Sequence, residues 1–240
     1  MKERFLLTLF LTLLLTATSA KADDSRYAIN VNDFNSLTVV DGINVNYYTH
    51  ADSAGYVVFV AAPEMASNIS FSNNKKNLRI QTLADEKPFK GVPTVAVYSS
   101  SLQYLENSGD SLVCAHLGTH VDKLTTKVIG NGTIKLSGID AGTLAADAAT
   151  GHGHVVLQGK ADKAKLRNVG TGSIDASALD ADPIDCFILG SGTVDVSTEG
   201  TLKIKGAGKG KVITHRKPRK TVNRSIGIKS EPSDSLEQKP

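Results

Sequence analysis

The sequence predicts an all-β protein whose regular part is a right-handed parallel β-helix. Three observations carry this: a glycine pair that returns about every twenty residues, two-residue alternation after each pair, and no helical period inside the repeat. The units read Gly130-Asn-Gly132-Thr-Ile134-Lys-Leu136, Gly151-His-Gly153-His-Val155-Val-Leu157, Gly170-Thr-Gly172-Ser-Ile174-Asp-Ala176, Gly190-Ser-Gly192-Thr-Val194-Asp-Val196 and Gly208-Lys-Gly210-Lys-Val212. Their first glycines are 21, 19, 20 and 18 residues apart. A repeat this short cannot hold a strand, a crossover helix and a second strand, which need roughly thirty residues. Successive units therefore stack strand on strand at about 4.8 Å per rung, each burying its apolar face against its neighbours.

With the first glycine as position 0, positions 4 and 6 are mostly apolar and positions 1, 3 and 5 mostly polar. Extrapolated backward, the alternation places both glycines on the inward face. Outward side chains then form ladders: Asn131, His152, Thr171, Ser191 and Lys209 at position 1, and Thr133, His154, Ser173, Thr193 and Lys211 at position 3.

From the start of the chain, Lys2 and Arg4 precede the apolar run Phe5–Leu15, and small residues follow up to Ala22. This is the pattern of a secretory signal peptide at 1–22, cleaved after Ala20 or Ala22, and the run is too short for a membrane span. The expectation is an exported chain with no transmembrane helix after cleavage, placed in the periplasm or at the cell surface. Residues 23–228 read as a single domain. Its segment 27–106 consists of short irregular strands that pack on or cap the stack, with Asp41-Gly42 as a tight-turn signal between two of them. Ser108-Gly-Asp-Ser-Leu112-Val-Cys114 fits the repeat with Ser108 at position 0, so regular repeats run over 107–228. Residues 229–240 lack an apolar period and read as a disordered tail.

The net charge of +3 conceals an uneven distribution: removing 1–22 leaves +1, residues 215–240 carry +4, and the body from 23 to 214 is about −3. A body of that sign does not suit nucleic acid. Trp is absent and aromatics are 5%, which argues against an aromatic-lined pocket. Cys114 and Cys186, assigned to rungs far apart, read as buried unpaired thiols rather than a disulfide.

Candidate sites are few. His152 and His154 share an outward face and could take zinc or copper, with His116 or His120 beside them if the rungs align. Asp175 and Asp195 stack at position 5 and could bind calcium or act as an acid/base pair. Ser137, Asp147 and His152 could be assembled into a hydrolase triad, but no nucleophile elbow is present. The basic segment 215–220 could meet phosphate or lipid headgroups, and its plainer reading is a solvated tail. None of these patterns converges, so no catalytic, cofactor or metal residue is assigned.

Phe34, Leu37, Val39, Asp41-Gly42-Ile43-Asn44-Val45, Tyr56–Val60, Asn77–Ile80 and Val95–Tyr98, followed by the Gly-x-Gly units, resemble in order and spacing the head GIN domain of the putative autotransporter adhesins. The resemblance spans roughly residues 30–228 and departs from the family at Ser108-Gly-Asp and at 215–220. It implies an exported β-helical envelope protein of Gram-negative bacteria, adhesin-like and without catalytic residues. The expected function is a non-enzymatic module presenting polar faces to a polysaccharide or a host or matrix protein. The alternatives are a β-helical carbohydrate-active enzyme and a structural component that self-associates through an open end of the stack.

Overall fold

The computed structural model of the protein describes residues 24–83 and 92–233, so the leader expected at 1–22 and residues 234–240 of the expected tail lie outside it. Alternating Val, Ile, Leu and Ala give extended segments throughout, because branched side chains pack well on a pleated, half-buried surface. In chain order the strands are β1 (Ser25–Asn30), β2 (Ser36–Val39), β3 (Val45–Thr49), β4 (Tyr56–Ala61), β5 (Ile69–Asn74), β6 (Asn77–Thr82), β7 (Val95–Ser99), β8 (Tyr104–Asn107), β9 (Leu112–His116), β10 (Val121–Ile129), β11 (Thr133–Ala149), β12 (His154–Gly170), β13 (Ser173–Ala181), β14 (Ile184–Gly190), β15 (Thr193–Val196), β16 (Thr201–Gly208), β17 (Lys211–Thr214), β18 (Lys220–Ile226) and β19 (Lys229–Pro232). Helical structure among the described residues is limited to a 3₁₀ turn at Ala51–Ser53 and one turn, α1 (Pro63–Ala66).

The strands stack in parallel as a β-solenoid of about six turns, which agrees with the expected parallel β-helix. One long side runs β6, β2, β8, β10, the second part of β11, the second part of β12, β14, β16 and β18. The other runs β7, β3, β9, the first parts of β11, β12 and β13, then β15, β17 and β19. The strands before residue 107 are thus less irregular than expected, since β2, β3, β6, β7 and β8 already belong to the parallel stack. Only β1, β4 and β5 pair antiparallel and cover its first end. Asp41-Gly42 is accordingly a corner between two sides of one coil rather than a hairpin.

The core is a single column of inward side chains. Ile134, Leu136, Val155, Leu157, Ile174, Ala176, Val194, Val196 and Val212 are all buried, as positions 4 and 6 require. Burying each of the larger ones contributes about 1.5–3 kcal/mol. The glycines behave differently from the extrapolation. Position 2 is buried, but position 0 sits at the corner, with φ between 71° and 133° from Gly130 to Gly208. That left-handed region admits glycine far more readily than any residue with a side chain.

Position 2 has another cause. Asn107 and Asn168 are fully buried, and each donates through Nδ2 to a carbonyl at its own corner and to one on the next rung: Ser111 and Thr133, then Gly172 and Thr193. A Cβ on Gly132 or Gly192 would come within 2.6 Å of these amides.

Two further expectations are corrected. Leu112 pairs with Thr133 and Val113 with Ile134, so Gly109, not Ser108, occupies position 0 of the first unit. A one-residue slip exchanges the two faces; Cys114 therefore points outward and is half-buried, while Cys186 is buried, and both are free. Residues 229–232, assigned to the tail, form β19 against β17. The last coil is also unlike the others: Thr221 and Asn223 lie in register with buried Leu202 and Ile204, Ser225 with Gly206, and Ser230 with buried Val212. Apart from Ile228, which is buried, polar side chains occupy the inward positions there, so the core ends on a largely hydrophilic layer.

Candidate functional site

The side built from β9, β11, β12, β13, β15 and β17 carries the expected outward ladder. Thr133, His154, Ser173, Thr193 and Lys211 are successive partners, each one rung from the next. His154 Nδ1 pairs with Ser173 Oγ at 2.5 Å, and beside it His152 Nδ1 pairs with Thr171 Oγ1 at 2.6 Å. Each imidazole is thus held by the hydroxyl one rung below. His116 stacks on Tyr48 with ring centres 5.1 Å apart and pairs with Ser137, while His120 pairs with Asp140 at 2.8 Å. The four histidines do not come together, and among the described residues no group of three or more His, Cys, Asp or Glu is placed to hold a metal ion.

Asp175 and Asp195 are register partners, as the repeat requires. Each is already engaged: Asp175 accepts from the Ser177 amide and hydroxyl, and Asp195 pairs with His215 Nε2 at 2.9 Å. Ser137, Asp147 and His152 are separate, since Ser137 meets His116 and Asp147 accepts both hydrogen bonds from Arg167 Nη1. The basic segment 215–220 is a built corner rather than a solvated tail: His215 meets Asp195, Arg216 lies 3.6 Å from Asp180, and Arg219 donates its amide to Glu199.

A different acidic group lines one recess, at positions beyond the glycine pairs of the repeat. Asp140, Asp162, Asp180 and Asp182 line an open recess of about 580 Å³ at one corner of the coil, with Lys160 among them. Asp140, Lys160 and Asp180 stack in one outward column. The 20-residue spacing of Asp140, Lys160 and Asp180 was the available signal. Hydrogen bonding to Asp140 raises the pKa of His120 above its ordinary value, with the charges of Asp140, Asp122 and Asp162 acting in the same direction. On the other long side, burial pushes the Cys186 thiol up to about 12, which leaves it protonated and inert at neutral pH.

One known family matches most of the coil, including strands before residue 107. Its model, described as "Putative auto-transporter adhesin, head GIN domain", matches residues 33–218. The chain belongs to this family. Among solved structures, this GIN domain resembles a "putative adhesin" from Bacteroides fragilis, at 18% identity with a TM-score of 0.76, covering 90% of this chain and 99% of the other. It also resembles a "putative lipid binding protein" from Parabacteroides distasonis, at 18% identity, TM-score 0.70 and coverage of 89% and 98%. A third is a "putative adhesin" from Parabacteroides merdae, at 18% identity, TM-score 0.67 and coverage of 90% and 99%. At such identity the likeness concerns the fold. No curated protein matches the GIN domain chain in sequence. Among the described residues no helix is long and apolar enough to cross a membrane.

Proposed function

We propose that the protein is an exported, non-enzymatic, adhesin-like module that presents a rigid polar face to an extracellular macromolecule, a polysaccharide or a host or matrix protein, without a cofactor. The observation that supports this most is the outward ladder of Thr133, His154, Ser173 and Thr193, in register from rung to rung. Hydroxyl and imidazole groups at about 4.8 Å spacing can exchange hydrogen bonds with a hydroxylated or amide-bearing chain. Because parallel strands fix their positions in advance, little side-chain ordering opposes binding.

The test is binding of the purified protein to arrays of polysaccharides and matrix proteins, followed by assay of bound sugars for cleavage. Saturable binding that weakens about tenfold in His154→Ala with Ser173→Ala supports the reading, and unchanged binding in that variant rejects the ladder as the site. The carbohydrate-active alternative draws on the recess between Asp140 and Asp182, which four aspartates line. Cleavage that disappears in Asp162→Asn or Asp180→Asn would establish that enzyme and displace the adhesin reading.

A further inference from the structure

The other long side carries a surface of a different chemistry near the last coils. Outward positions of one column read Glu106, Lys127, Asp147, Arg167, Phe187, Lys205 and Arg224. The column beside it, nearer the glycine corner, reads Ile129, Ala149, Val169, Leu189, Ala207 and Ile226, apolar at every rung although it faces out. Toward the C-terminal end this apolar column emerges into solvent: Leu189 is 47% and Ile226 78% exposed, and Phe187 beside them is 39% exposed. They are three of the six large exposed hydrophobic residues among those described.

The cations surround them. Arg167, Lys205 and Arg224 occupy the adjoining column, and Lys165 and Lys203 the next one. Asp147 neutralises Arg167 and Asp185 lies 3.4 Å from Lys203. Among the described residues no carboxylate pairs with Lys165, Lys205 or Arg224. The body of the chain is net acidic, so this excess of positive charge is local. Arg167, Phe187 and Lys205 also border a shallow recess of about 240 Å³.

We infer that this patch is a docking surface for an anionic lipid bilayer, on which Phe187, Leu189 and Ile226 enter the interface while Lys165, Lys205 and Arg224 meet the headgroups. An aliphatic stripe beside unpaired cations on a flat, rigid face suits a surface that is itself charged outside and apolar just beneath. A soluble acidic polysaccharide would use the cations but gain little from exposed leucine and isoleucine. The inference goes beyond the macromolecule-binding role and does not depend on it, since the polar ladder lies on the other side of the coil.

The experiment is co-sedimentation of the chain from Asp23 onward, which contains every described residue, with vesicles. One set is phosphatidylcholine alone and the other an equal mixture of phosphatidylcholine and phosphatidylglycerol. The expected result is binding to the anionic vesicles only, weakened by high salt as the Debye length shortens. Lys205→Glu with Arg224→Glu should weaken it at least about 25-fold, at about fivefold per cation removed. Leu189→Ser with Ile226→Ser should weaken it several-fold at unchanged salt dependence, and Lys135→Glu, on the opposite side, should leave it unchanged. All four side chains of the double variants are exposed, and circular dichroism checks that the fold persists. Absence of binding to either vesicle, equal binding by the charge-reversed variant, or capture of a soluble acidic polysaccharide in place of vesicles would each overturn the inference.

Discussion

The two ends of the solenoid are closed by different physics. At the first end, β1 and β4 pair antiparallel above β7, β5 pairs antiparallel with β6, and aromatic rings fill the space beneath, with Phe59 5.1 Å from Tyr27 and 5.6 Å from Phe71. At the last end no such lid covers the core among the described residues. The core stops because Thr221, Asn223 and Ser230 stand where the preceding coil has Leu202, Ile204 and Val212. A repeat stack can therefore be ended either by covering its core or by changing the composition of the final coil, and this chain does one at each end.

The largest expected effect separates the two. Phe59→Ala, which removes a buried ring from the lid, should cost about 3–5 kcal/mol in urea unfolding. Asn223→Ala, at the polar end, should change stability by no more than about 0.5 kcal/mol. Comparable losses at the two positions would mean that the final coil is held by packing after all.

Next in size is the same corner at two heights of the stack. Asn107 Oδ1 accepts from the Gly109 amide at 3.2 Å and the Ser111 hydroxyl at 3.1 Å, whereas Asn168 Oδ1 has no partner among the described residues. Position 2 is Ser111 in the first case and Gly172 in the second, and a Cβ on Gly172 would strike the Gly153 carbonyl at 2.3 Å. Asn107→Ala should cost about 2–3 kcal/mol and Asn168→Ala about 1–2 kcal/mol. Denaturant midpoints in the opposite order would remove the hydroxyl from the explanation.

Making the polar end apolar, by Thr221→Val with Asn223→Leu, should shift stability by less than about 1 kcal/mol but expose a hydrophobic strand edge. Size-exclusion chromatography with light scattering should then register concentration-dependent association absent from the parent protein. A variant that stays monomeric throughout would show that the polar layer is not what keeps this end closed.

The smallest effect lies between the ends, at His120. Its raised pKa means that the contact with Asp140 favours the folded state at acidic pH and is lost as pH rises through the folded value. The pair is exposed, so the readout is an NMR titration rather than a melting curve. Asp140→Asn should bring the His120 midpoint back toward the ordinary histidine range, and an unmoved midpoint would assign the shift to other charges.

Much of this architecture was legible because period-two alternation is a direct consequence of strand geometry, and Ile134, Val155, Ile174 and Val194 all fall where it puts them. What alternation cannot resolve is phase where the marker residue changes. Ser108 and Gly109 could each begin the first unit, and only the pairing of Val113 with Ile134 decides between them. Strand direction is equally invisible at Asp41-Gly42, where a hairpin and a coil corner use the same residues. The acidic recess and the apolar outward column were missed for a shared reason: the alternation that follows each glycine pair covers positions 0 to 6, and their members lie outside that window, Val169 and Leu189 just before the first glycine and Asp140 and Asp180 ten residues after it, so only their 20-residue spacing relates them. His152 and His154 were correctly placed facing outward, and their hydroxyl partners follow from the same ladder.

The unequal unit lengths leave a last consequence. The register shifts occur between Leu136 and Ile139 and between Val156 and Gln158, so the extra residues are absorbed beyond the straight segment and Thr133, His154 and Ser173 stay aligned. The outward face is therefore a fixed grating with one line per rung. A polymer whose own chemical repeat is close to about 4.8 Å keeps phase with it, adding a contact at each rung for a single ordering cost, while a mismatched polymer falls out of phase within a few rungs. Selectivity on such a face comes from period as much as from the identity of any one side chain.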